Sequence, residues 1–184
     1  MSVEQHKGYA PAKGDLRVAV ITASDSRTLE NDEGGGLVQA LAEQAGFGVA
    51  SRQVLREEPA VIRAAVAALI SDGTTDAVLL TGGTGLAGRD STIEAVAPLL
   101  EKALPGFGEL FRMLSFAEIG SAAMMSRAFA GSARGTAVFA MPGSPAGVRL
   151  AMARLIIPEL PHVVGQLRRD REPGSHPGRD HRHE

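Results

Sequence analysis

The sequence contains no cysteine among its 184 residues. Without thiols the chain forms no disulfide bond, no thiolate metal site and no cysteine nucleophile, so any catalysis must use other groups. A basic excess is also missing, because 19 lysines and arginines stand against 21 aspartates and glutamates, for a net charge of −2. Binding to nucleic-acid phosphates requires an excess of positive charge. We therefore expect no nucleic-acid partner.

Long apolar runs are absent from the sequence. No stretch of about 18 consecutive apolar residues occurs, which excludes the usual transmembrane helix. The first 13 residues are polar and lack the apolar segment of a signal peptide. We therefore predict a cytoplasmic protein with no membrane partner.

The composition that remains is typical of a folded globular domain. Hydrophobic residues make up 44% of the chain and charged residues 22%, and the length suits a single domain. The last residues mix arginine, aspartate, histidine, proline and glycine without periodicity. We predict a flexible N-terminus at 1–14, one folded domain at 15–169 and a disordered tail at 170–184.

Strand-like and helix-like patterns alternate along the predicted domain. Apolar runs predict strands at 17–23, 49–55, 76–81 and 136–141. Apolar residues at helical spacing predict helices at 35–45, from 61 to about 71, at 91–104, and after the break at Pro105. A last helix begins with Ser144 as N-cap and Pro145 in its first turn. Since parallel strands need long crossovers, this alternation predicts an α/β protein with a parallel, helix-covered sheet.

Three loops are expected to meet at one edge of this sheet. In open parallel sheets, ligands bind beyond the carboxyl ends of the strands. Residues 24–32, 81–90 and 142–145 each follow a predicted strand directly. The sequence therefore predicts one site built from three loops.

The second of these loops begins with the glycine run Thr81-Gly82-Gly83-Thr84-Gly85. Glycine allows positive φ and close approach of a ligand, and backbone N–H groups near a helix N-terminus attract anionic oxygens. The alternative is a tight strand-to-helix connection that binds nothing. Arg89 and Asp90 favour phosphate chemistry, because arginine binds phosphate and aspartate can hold Mg²⁺ beside it. Asp90 or Ser91 can instead cap the next helix.

Two phosphate-binding motifs match this loop only in part. The Walker A pattern is excluded because no Gly-Lys-Ser/Thr ending follows. Gly83, Gly85 and Gly88 satisfy the letters of the dinucleotide fingerprint. Glu101 and Glu109, near the expected offset of its acidic residue, fall in helical sequence. A dinucleotide-dependent oxidoreductase is therefore the more remote alternative.

Further motifs follow one another in a fixed order along the chain. They are Ser24-Asp25-Ser26-Arg27, the glycine run, Arg89-Asp90-Ser91-Thr92, Pro105-Gly106-Phe107-Gly108, Arg112-Met113-Leu114-Ser115-Phe116, Glu118-Ile119-Gly120, Ser126-Arg127 and Pro142-Gly143-Ser144-Pro145. In order and spacing they resemble the MoaB/Mog family of molybdenum cofactor biosynthesis proteins. The motifs between 112 and 127 are most similar to the MoaB branch, and the resemblance covers about residues 15–168.

This resemblance implies a three-layer α/β/α molybdopterin-binding fold with a mostly parallel sheet, assembled as a homotrimer or homohexamer. It implies molybdopterin and ATP as substrates, Mg²⁺ as cofactor, and transient contacts with other proteins of molybdenum cofactor biosynthesis. In active relatives the terminal phosphate of molybdopterin attacks the α-phosphate of Mg-ATP and pyrophosphate leaves. The resemblance thus predicts a molybdopterin adenylyltransferase, which is a nucleotidyltransferase. The alternative is a non-catalytic molybdopterin-binding or scaffold protein of the same pathway.

The resemblance also assigns roles to individual residues. Asp90 is expected to support Mg²⁺ and the transfer, and Glu57 stands where some active relatives carry a second functional aspartate. Glutamate is longer by a methylene, and misplacement by about 1 Å can cost about a hundredfold in rate. Contacts with phosphate or substrate are expected from Ser24, Asp25, Arg27, Thr81, Gly82, Gly83, Thr84, Gly85, Arg89, Ser115, Glu118, Pro142, Gly143 and Ser144.

Several residues near these motifs have two possible roles. Glu118 could cap a turn or reach the site, and Ser126 and Arg127 could contact phosphate or a neighbouring subunit. Phe107, Phe111 and Phe116 lie in an amphipathic stretch, where they are expected to bury a helix face or a subunit contact and not to stack on the pterin.

Overall fold

The computed structural model describes residues 10–169. The predicted tail at 170–184 lies outside the described residues, as does most of the predicted flexible N-terminus. Within residues 10–169, no helix has the length and apolar character needed to cross a membrane.

Six strands form one sheet: β1 (Arg17–Ala23), β2 (Gly48–Leu55), β3 (Ala77–Thr81), β4 (Lys102–Ala103), β5 (Phe129–Ala133) and β6 (Thr136–Met141). Their order across the sheet is β2-β1-β3-β6-β5-β4. β2, β1, β3 and β6 pair in parallel. β5 and β4 continue the sheet in antiparallel pairing. The predicted mostly parallel α/β sheet is confirmed.

Helices cover both faces of the sheet. They are α1 (Glu33–Gln44), α2 (Pro59–Ser71), α3 (Thr92–Val96), α4 (Pro105–Ile119), α5 (Pro145–Ala151) and α6 (Ile157–Arg169). A π-helical turn at Met152–Ile156 joins α5 to α6, so the helical backbone runs on from 145 to 169. Short 3-10 turns occur at Lys13–Asp15, Ala97–Leu99 and Gly120–Met125.

Alternate residues of the central strands pack into two different cores. On β3, Leu79 belongs to the core that includes residues of α1, α4, α5 and α6, whereas Leu80 belongs to the core that includes residues of α2 and α3. Side chains alternate between the two faces of a strand. The sheet is therefore the middle of three layers, and burial on both faces explains why its central strands read as continuous apolar runs.

The helix predicted at 91–104 is wrong beyond its first turns. α3 ends at Val96, a 3-10 turn follows, and β4 then begins at Lys102. Pro98 has no backbone N–H and cannot continue the α-helical hydrogen-bond ladder. Lys102 and Ala103 instead pair with β5, so pairing at the sheet edge overrides the local helical pattern.

β5 has no counterpart among the predicted strands. It is joined to β6 by a two-residue hairpin turn, in which Arg134 and Gly135 have φ of 50° and 76°. Such turns favour Asn-Gly or Asp-Gly, so Arg-Gly is a weak sequence signal. The small residues Ala130, Gly131 and Ser132 add little β-propensity.

An ion pair ties the last helix to the start of β3. Arg168 Nη2 lies 2.9 Å from both carboxylate oxygens of Asp76. Asp76 Oδ2 also accepts the Arg17 N–H at 3.0 Å, and the Asp76 side chain is largely buried. One carboxylate therefore joins α6, β1 and β3.

Candidate functional site

The loops that follow β1, β3 and β6 lie together at one edge of the sheet. They comprise residues 24–32 (the β1 loop), 82–91 (the β3 loop) and 142–144 (the β6 loop). The Gly82 N–H donates to Met141 O at 3.1 Å, and the Thr81 hydroxyl donates to Pro142 O at 3.0 Å. These bonds hold the β3 and β6 loops side by side.

Gly82 and Gly83 fix the first turn of the β3 loop. Their φ angles are +90° and +62°, and a Cβ would overlap Ala23 O at the first position and the Thr92 hydroxyl at the second. The Thr92 hydroxyl donates to Gly82 O at 2.9 Å, and its N–H donates to Gly83 O at 3.1 Å. Both positions therefore require glycine, for positive φ as well as for close packing.

A pocket of about 370 Å³ lies between the β3 loop, the β6 loop and α4, and we call it the α4 pocket. Backbone and small polar groups form the side made by the loops, whereas α4 contributes apolar and acidic side chains. Its lining includes Gly83, Thr84, Gly85, Asp90, Phe111, Ser115, Glu118, Ile119, Met125, Pro142, Gly143 and Ser144. The structure thus brings nine residues of the predicted site into one cavity.

A second pocket, of about 270 Å³, lies at the N-terminus of α1, and we call it the α1 pocket. Its lining includes Ser24, Arg27, Asp32, Glu33, Gly34, Glu57, Gly82, Gly83 and Gly143. Gly83 and Gly143 line both pockets. The two cavities therefore adjoin at glycine backbone.

Asp90 lines the α4 pocket and closes a turn of the β3 loop. Its Oδ2 accepts the Ala87 N–H at 2.8 Å. Ser91 occupies the N-cap position of α3 without a capping bond from its side chain, and its hydroxyl donates to Glu57 O at 3.4 Å. Ser91 is therefore the N-cap residue of α3, as one of the two sequence interpretations has it, but its side chain makes no capping bond.

Glu57 lies in the α1 pocket among other charged groups. Its N–H donates to Asp25 Oδ1 at 3.1 Å, and its Oε2 lies 3.7 Å from Arg89 Nε. Burial raises the pKa of Glu57, the charges of Asp25 and Asp90 raise it further, and Arg89 lowers it. The Glu57 carboxylate is therefore close enough to those of Asp25 and Asp90 to be repelled by them, and a bound cation would stabilise this negative charge.

Ser144 and Arg27 have local partners as well as positions in the pockets. Ser144 caps α5 as predicted, because its Oγ accepts the Gly147 N–H at 3.2 Å. Arg27 Nη1 donates to Asn31 O at 2.9 Å, and Ser24 Oγ accepts the Arg27 N–H at 3.3 Å. The β1 loop is thus braced by its own side chains.

Three predicted site residues lie beside the pockets. Thr81 is fully buried, and its hydroxyl joins the β3 and β6 loops. Asp25 holds the Glu57 N–H. The Arg89 side chain is mostly exposed and reaches Glu57. Their contacts in this structure are with other site residues.

Asp32 is a part of the site that the sequence analysis did not single out. It is buried, and its Oδ2 accepts the Thr22 hydroxyl at 2.8 Å while its Oδ1 accepts the Gly35 N–H at 2.9 Å. Arg52 Nη1 lies 3.6 Å from the same carboxylate. Asp32 thereby caps α1 and fixes its N-terminus against the α1 pocket. The sequence did carry a signal for this role, because Asp32 lies three residues before Gly35, where a helix is predicted to begin, and aspartate is a preferred N-cap residue.

Arg127 contacts the main chain of the β3 loop. Its Nε donates to Gly85 O and its Nη2 to Asp90 O, each at 2.7 Å, and Nη1 pairs with the Glu94 carboxylate. Its own N–H donates to Thr84 O at 3.0 Å. Arg127 thus joins the start and the end of the β3 loop to α3.

The dinucleotide fingerprint lacks its structural context. That motif opens a helix and leads to a parallel strand. Here the helix begins only at Thr92, after Gly88, and the next strand, β4, lies at the antiparallel edge of the sheet. The geometry therefore gives no support to an oxidoreductase.

Known proteins resemble the chain over nearly its whole described length. A family model described as "Probable molybdopterin binding domain" matches residues 19–162. "Molybdenum cofactor biosynthesis protein B" of Bacillus subtilis (strain 168) is 54% identical over 172 residues, covering 93% of this chain and 100% of the relative. A crystal structure of Molybdenum cofactor biosynthesis protein B superposes with a TM-score of 0.83 at 47% identity, covering 86% of this chain and 99% of the other. The tungsten cofactor synthesizing protein MoaB from Pyrococcus furiosus gives a TM-score of 0.74 at 32% identity, with coverages of 86% and 99%.

Proposed function

The chain belongs to the MoaB/Mog family of molybdenum cofactor biosynthesis proteins, and on that premise we propose that it adenylylates molybdopterin. In this reaction an oxygen of the terminal phosphate of molybdopterin forms a bond to the α-phosphorus of ATP. The bond from that phosphorus to the β-phosphate bridging oxygen breaks, and pyrophosphate leaves. The products are adenylylated molybdopterin and pyrophosphate.

The observation that carries this proposal is the junction of the two pockets. Asp90 lines the α4 pocket and Glu57 the α1 pocket, and the cavities share Gly83 and Gly143. Two substrates that exchange a group must meet with their reacting atoms about 3 to 3.5 Å apart. Adjoining cavities with a carboxylate in each suit a phosphorylated pterin and a nucleotide that react where the cavities join.

Transfer at phosphorus depends mainly on positioning and on stabilisation of charge. The β3 loop offers backbone N–H groups, and α1 directs its N-terminus toward the α1 pocket. Arg27 lies in the α1 pocket, and Arg89 lies beside Glu57. These groups can hold phosphates in place, so the reaction requires no covalent intermediate with the protein.

Asp90 and Glu57 fit a magnesium site that substrate completes. Within residues 10–169, no cluster of three or more histidine, cysteine, aspartate or glutamate side chains is arranged to hold a metal ion by itself. Magnesium is usually bound through one or two carboxylates together with substrate phosphates. When bound, Mg²⁺ would offset the negative charge of the phosphates. The raised pKa of Glu57, caused by its burial and then by Asp25 and Asp90, is consistent with a place for positive charge.

A non-catalytic molybdopterin-binding protein is the second candidate. The observation that favours it is the ion pair of Glu57, whose carboxylate lies 3.7 Å from Arg89 Nε. By the family resemblance, Glu57 stands where some active relatives are expected to carry an aspartate. A longer carboxylate engaged by arginine is less suited to hold a metal ion at the spacing that the transfer requires.

One experiment separates these two functions. Purified protein is incubated with molybdopterin and Mg-ATP, and both pyrophosphate and adenylylated pterin are measured. Molybdopterin binding is followed in parallel by quenching of pterin fluorescence. Stoichiometric formation of both products supports the transferase. Binding without either product overturns it and supports the binding protein.

We also propose that the chain is a homo-oligomer that assembles through α4 and the 3-10 turn after it. Phe107 and Phe111 are buried as expected, whereas Phe116 is 62% exposed. Other large apolar residues of this segment are exposed too: Leu110, Met113, Ile119, Met124 and Met125. Contiguous apolar surface of this kind marks an interface. Ile119 and Met125 also line the α4 pocket, so a second copy would border the site.

A further inference from the structure

We propose that Arg127 is a positioning residue that sets the shape of the β3 loop. All three nitrogens of its guanidinium are engaged, two by main-chain oxygens of Gly85 and Asp90 and one by the Glu94 carboxylate. Its backbone N–H holds Thr84 O. A single residue thus binds the loop near its start and at its end.

These bonds determine the direction of three peptide groups. In a trans peptide the C=O of one residue and the N–H of the next point in opposite directions. With the oxygens of Thr84, Gly85 and Asp90 turned toward Arg127, the N–H groups of the next residues turn away from it. Arginine holds the acceptors on one side of the loop, which leaves donors for an anion on the other.

Arg127 also fixes Asp90 from its main chain. Asp90 O accepts from Arg127, while its carboxylate accepts the Ala87 N–H at 2.8 Å and lies so near Gly85 that a Cβ there would come within 2.7 Å of it. Asp90 is therefore held both at its main-chain oxygen and at its carboxylate. Arg127 acts through Asp90 and the loop and does not itself take part in the reaction.

Glu94 completes the arrangement. The hydrogen bond from Arg127 lowers the pKa of Glu94, so this carboxylate is a stable anchor for the third guanidinium nitrogen. Arg63 donates to Ala95 O and Glu94 O, each at 3.1 Å. It holds the same helix through the same kind of bond without contacting the β3 loop, which makes it a matched control.

The test compares Arg127→Lys with Arg63→Lys, because each keeps its charge and loses the planar fork that binds two carbonyls. Hydrogen exchange is measured first, without ligand, at the amides of residues 84–91 that are hydrogen-bonded within the loop, which are those of Ala87 and Asp90. We expect exchange at least about tenfold faster in Arg127→Lys only, since loss of these bonds frees the loop. Equal exchange in wild type and Arg127→Lys overturns the proposal.

The kinetic arm rests on the proposed function. If wild type forms adenylylated molybdopterin, Arg127→Lys should lower kcat by about a hundredfold while the KM for molybdopterin stays within about threefold, and Arg63→Lys should leave both near wild type. A kcat within about threefold of wild type overturns the proposal. If wild type shows no turnover, the proposed function fails, and the exchange rates alone decide the role of Arg127. Should Arg127→Lys fail to fold, Glu94→Gln, which releases one anchor, must still accelerate exchange at 84–91.

Discussion

The Arg89 guanidinium lies 3.7 Å from the Glu57 carboxylate, so the loop after β3 reaches the loop after β2. Arg89 is largely exposed, whereas the Glu57 side chain is mostly buried. The arginine thereby counteracts a rise in the pKa of Glu57 that burial causes and that Asp25 and Asp90 increase. Through the pKa of Glu57, the charges around the two pockets therefore affect the stability of the fold.

The raised pKa of Glu57 predicts a pH-dependent contribution to stability. The folded protein binds this proton more tightly than the unfolded chain, so the free energy of unfolding falls as pH rises from 4.5 through the raised value. Urea unfolding of wild type and Glu57→Gln across this range should show wild type losing stability relative to the variant. Arg89→Gln should steepen the loss. A difference that stays constant with pH contradicts the prediction.

Replacement of Asp90 by asparagine should separate catalysis from folding. The asparagine side chain would keep an oxygen that accepts the Ala87 N–H but would lose the charge that supports Mg²⁺. We expect adenylyl transfer to fall by at least about a hundredfold with an unchanged melting temperature. Glu43→Gln removes an equal charge from α1 outside both pockets and should retain full activity. Full activity in Asp90→Asn would remove Asp90 from the catalytic machinery.

Two glycines of the same loop should respond differently to alanine. Gly82 has φ of +90° and no room for a Cβ beside Ala23 O, so Gly82→Ala should lower the free energy of unfolding by about 2 kcal/mol or more. At Gly88 a Cβ would meet nothing within 4 Å, and Gly88→Ala should change stability by less than about 0.5 kcal/mol. Urea titration measures both. Equal effects would contradict the close packing at Gly82.

The ion pair of Asp76 with Arg168 should be important for stability. Asp76→Ala leaves the Arg17 N–H and the Arg168 guanidinium without their acceptor, and we expect a loss of about 3 kcal/mol. Glu159→Ala, which breaks the more exposed pair with His162 on the same helix, should cost less than about 1 kcal/mol. Thermal unfolding monitored by circular dichroism compares the two variants. Equal losses of stability would show that the Asp76 ion pair contributes no more than the exposed one.

The exposed face of α4 predicts a mutation that dissociates the oligomer. A Met113→Glu and Phe116→Glu double variant places charge on two exposed apolar positions, where burial at an interface would be costly. Light scattering after size-exclusion chromatography should give a trimer or hexamer for wild type and a smaller mass for the variant. A monomeric wild type would contradict the proposed assembly.

The strands that the sequence predicted correctly are mainly those with the same buried environment on both faces. Apart from the exposed Arg17, the residues of β1, β3 and β6 are buried and therefore apolar or small. The bounds of these strands agree with prediction to within one residue. The antiparallel strands β4 and β5 pair with each other across distant segments of the chain, as Lys102 does with Ser132. Such pairing leaves little local periodicity.

The same distinction applies to the site. The glycine run and Asp90 could be identified in the sequence because the residues that characterise this loop are neighbours along the chain. The contacts of Arg127 with Gly85 and Asp90 span 42 and 37 residues, and Arg52 reaches Asp32 across 20. Contacts at such separations follow from the folded topology and have no signature in neighbouring letters.

The wall shared by the two pockets is formed in part by Gly83 and Gly143, which have no side chain left to shorten. Protein engineering therefore cannot widen the passage between the cavities by trimming residues at these positions, and any larger residue at Gly83 would collide with the Thr92 hydroxyl. Altered ligand preference must come from other lining residues, such as Ser115 and Glu118 in the α4 pocket and Arg27 and Glu33 in the α1 pocket. The shared wall cannot be thinned at these glycines, so redesign is confined to the side chains that line the two pockets.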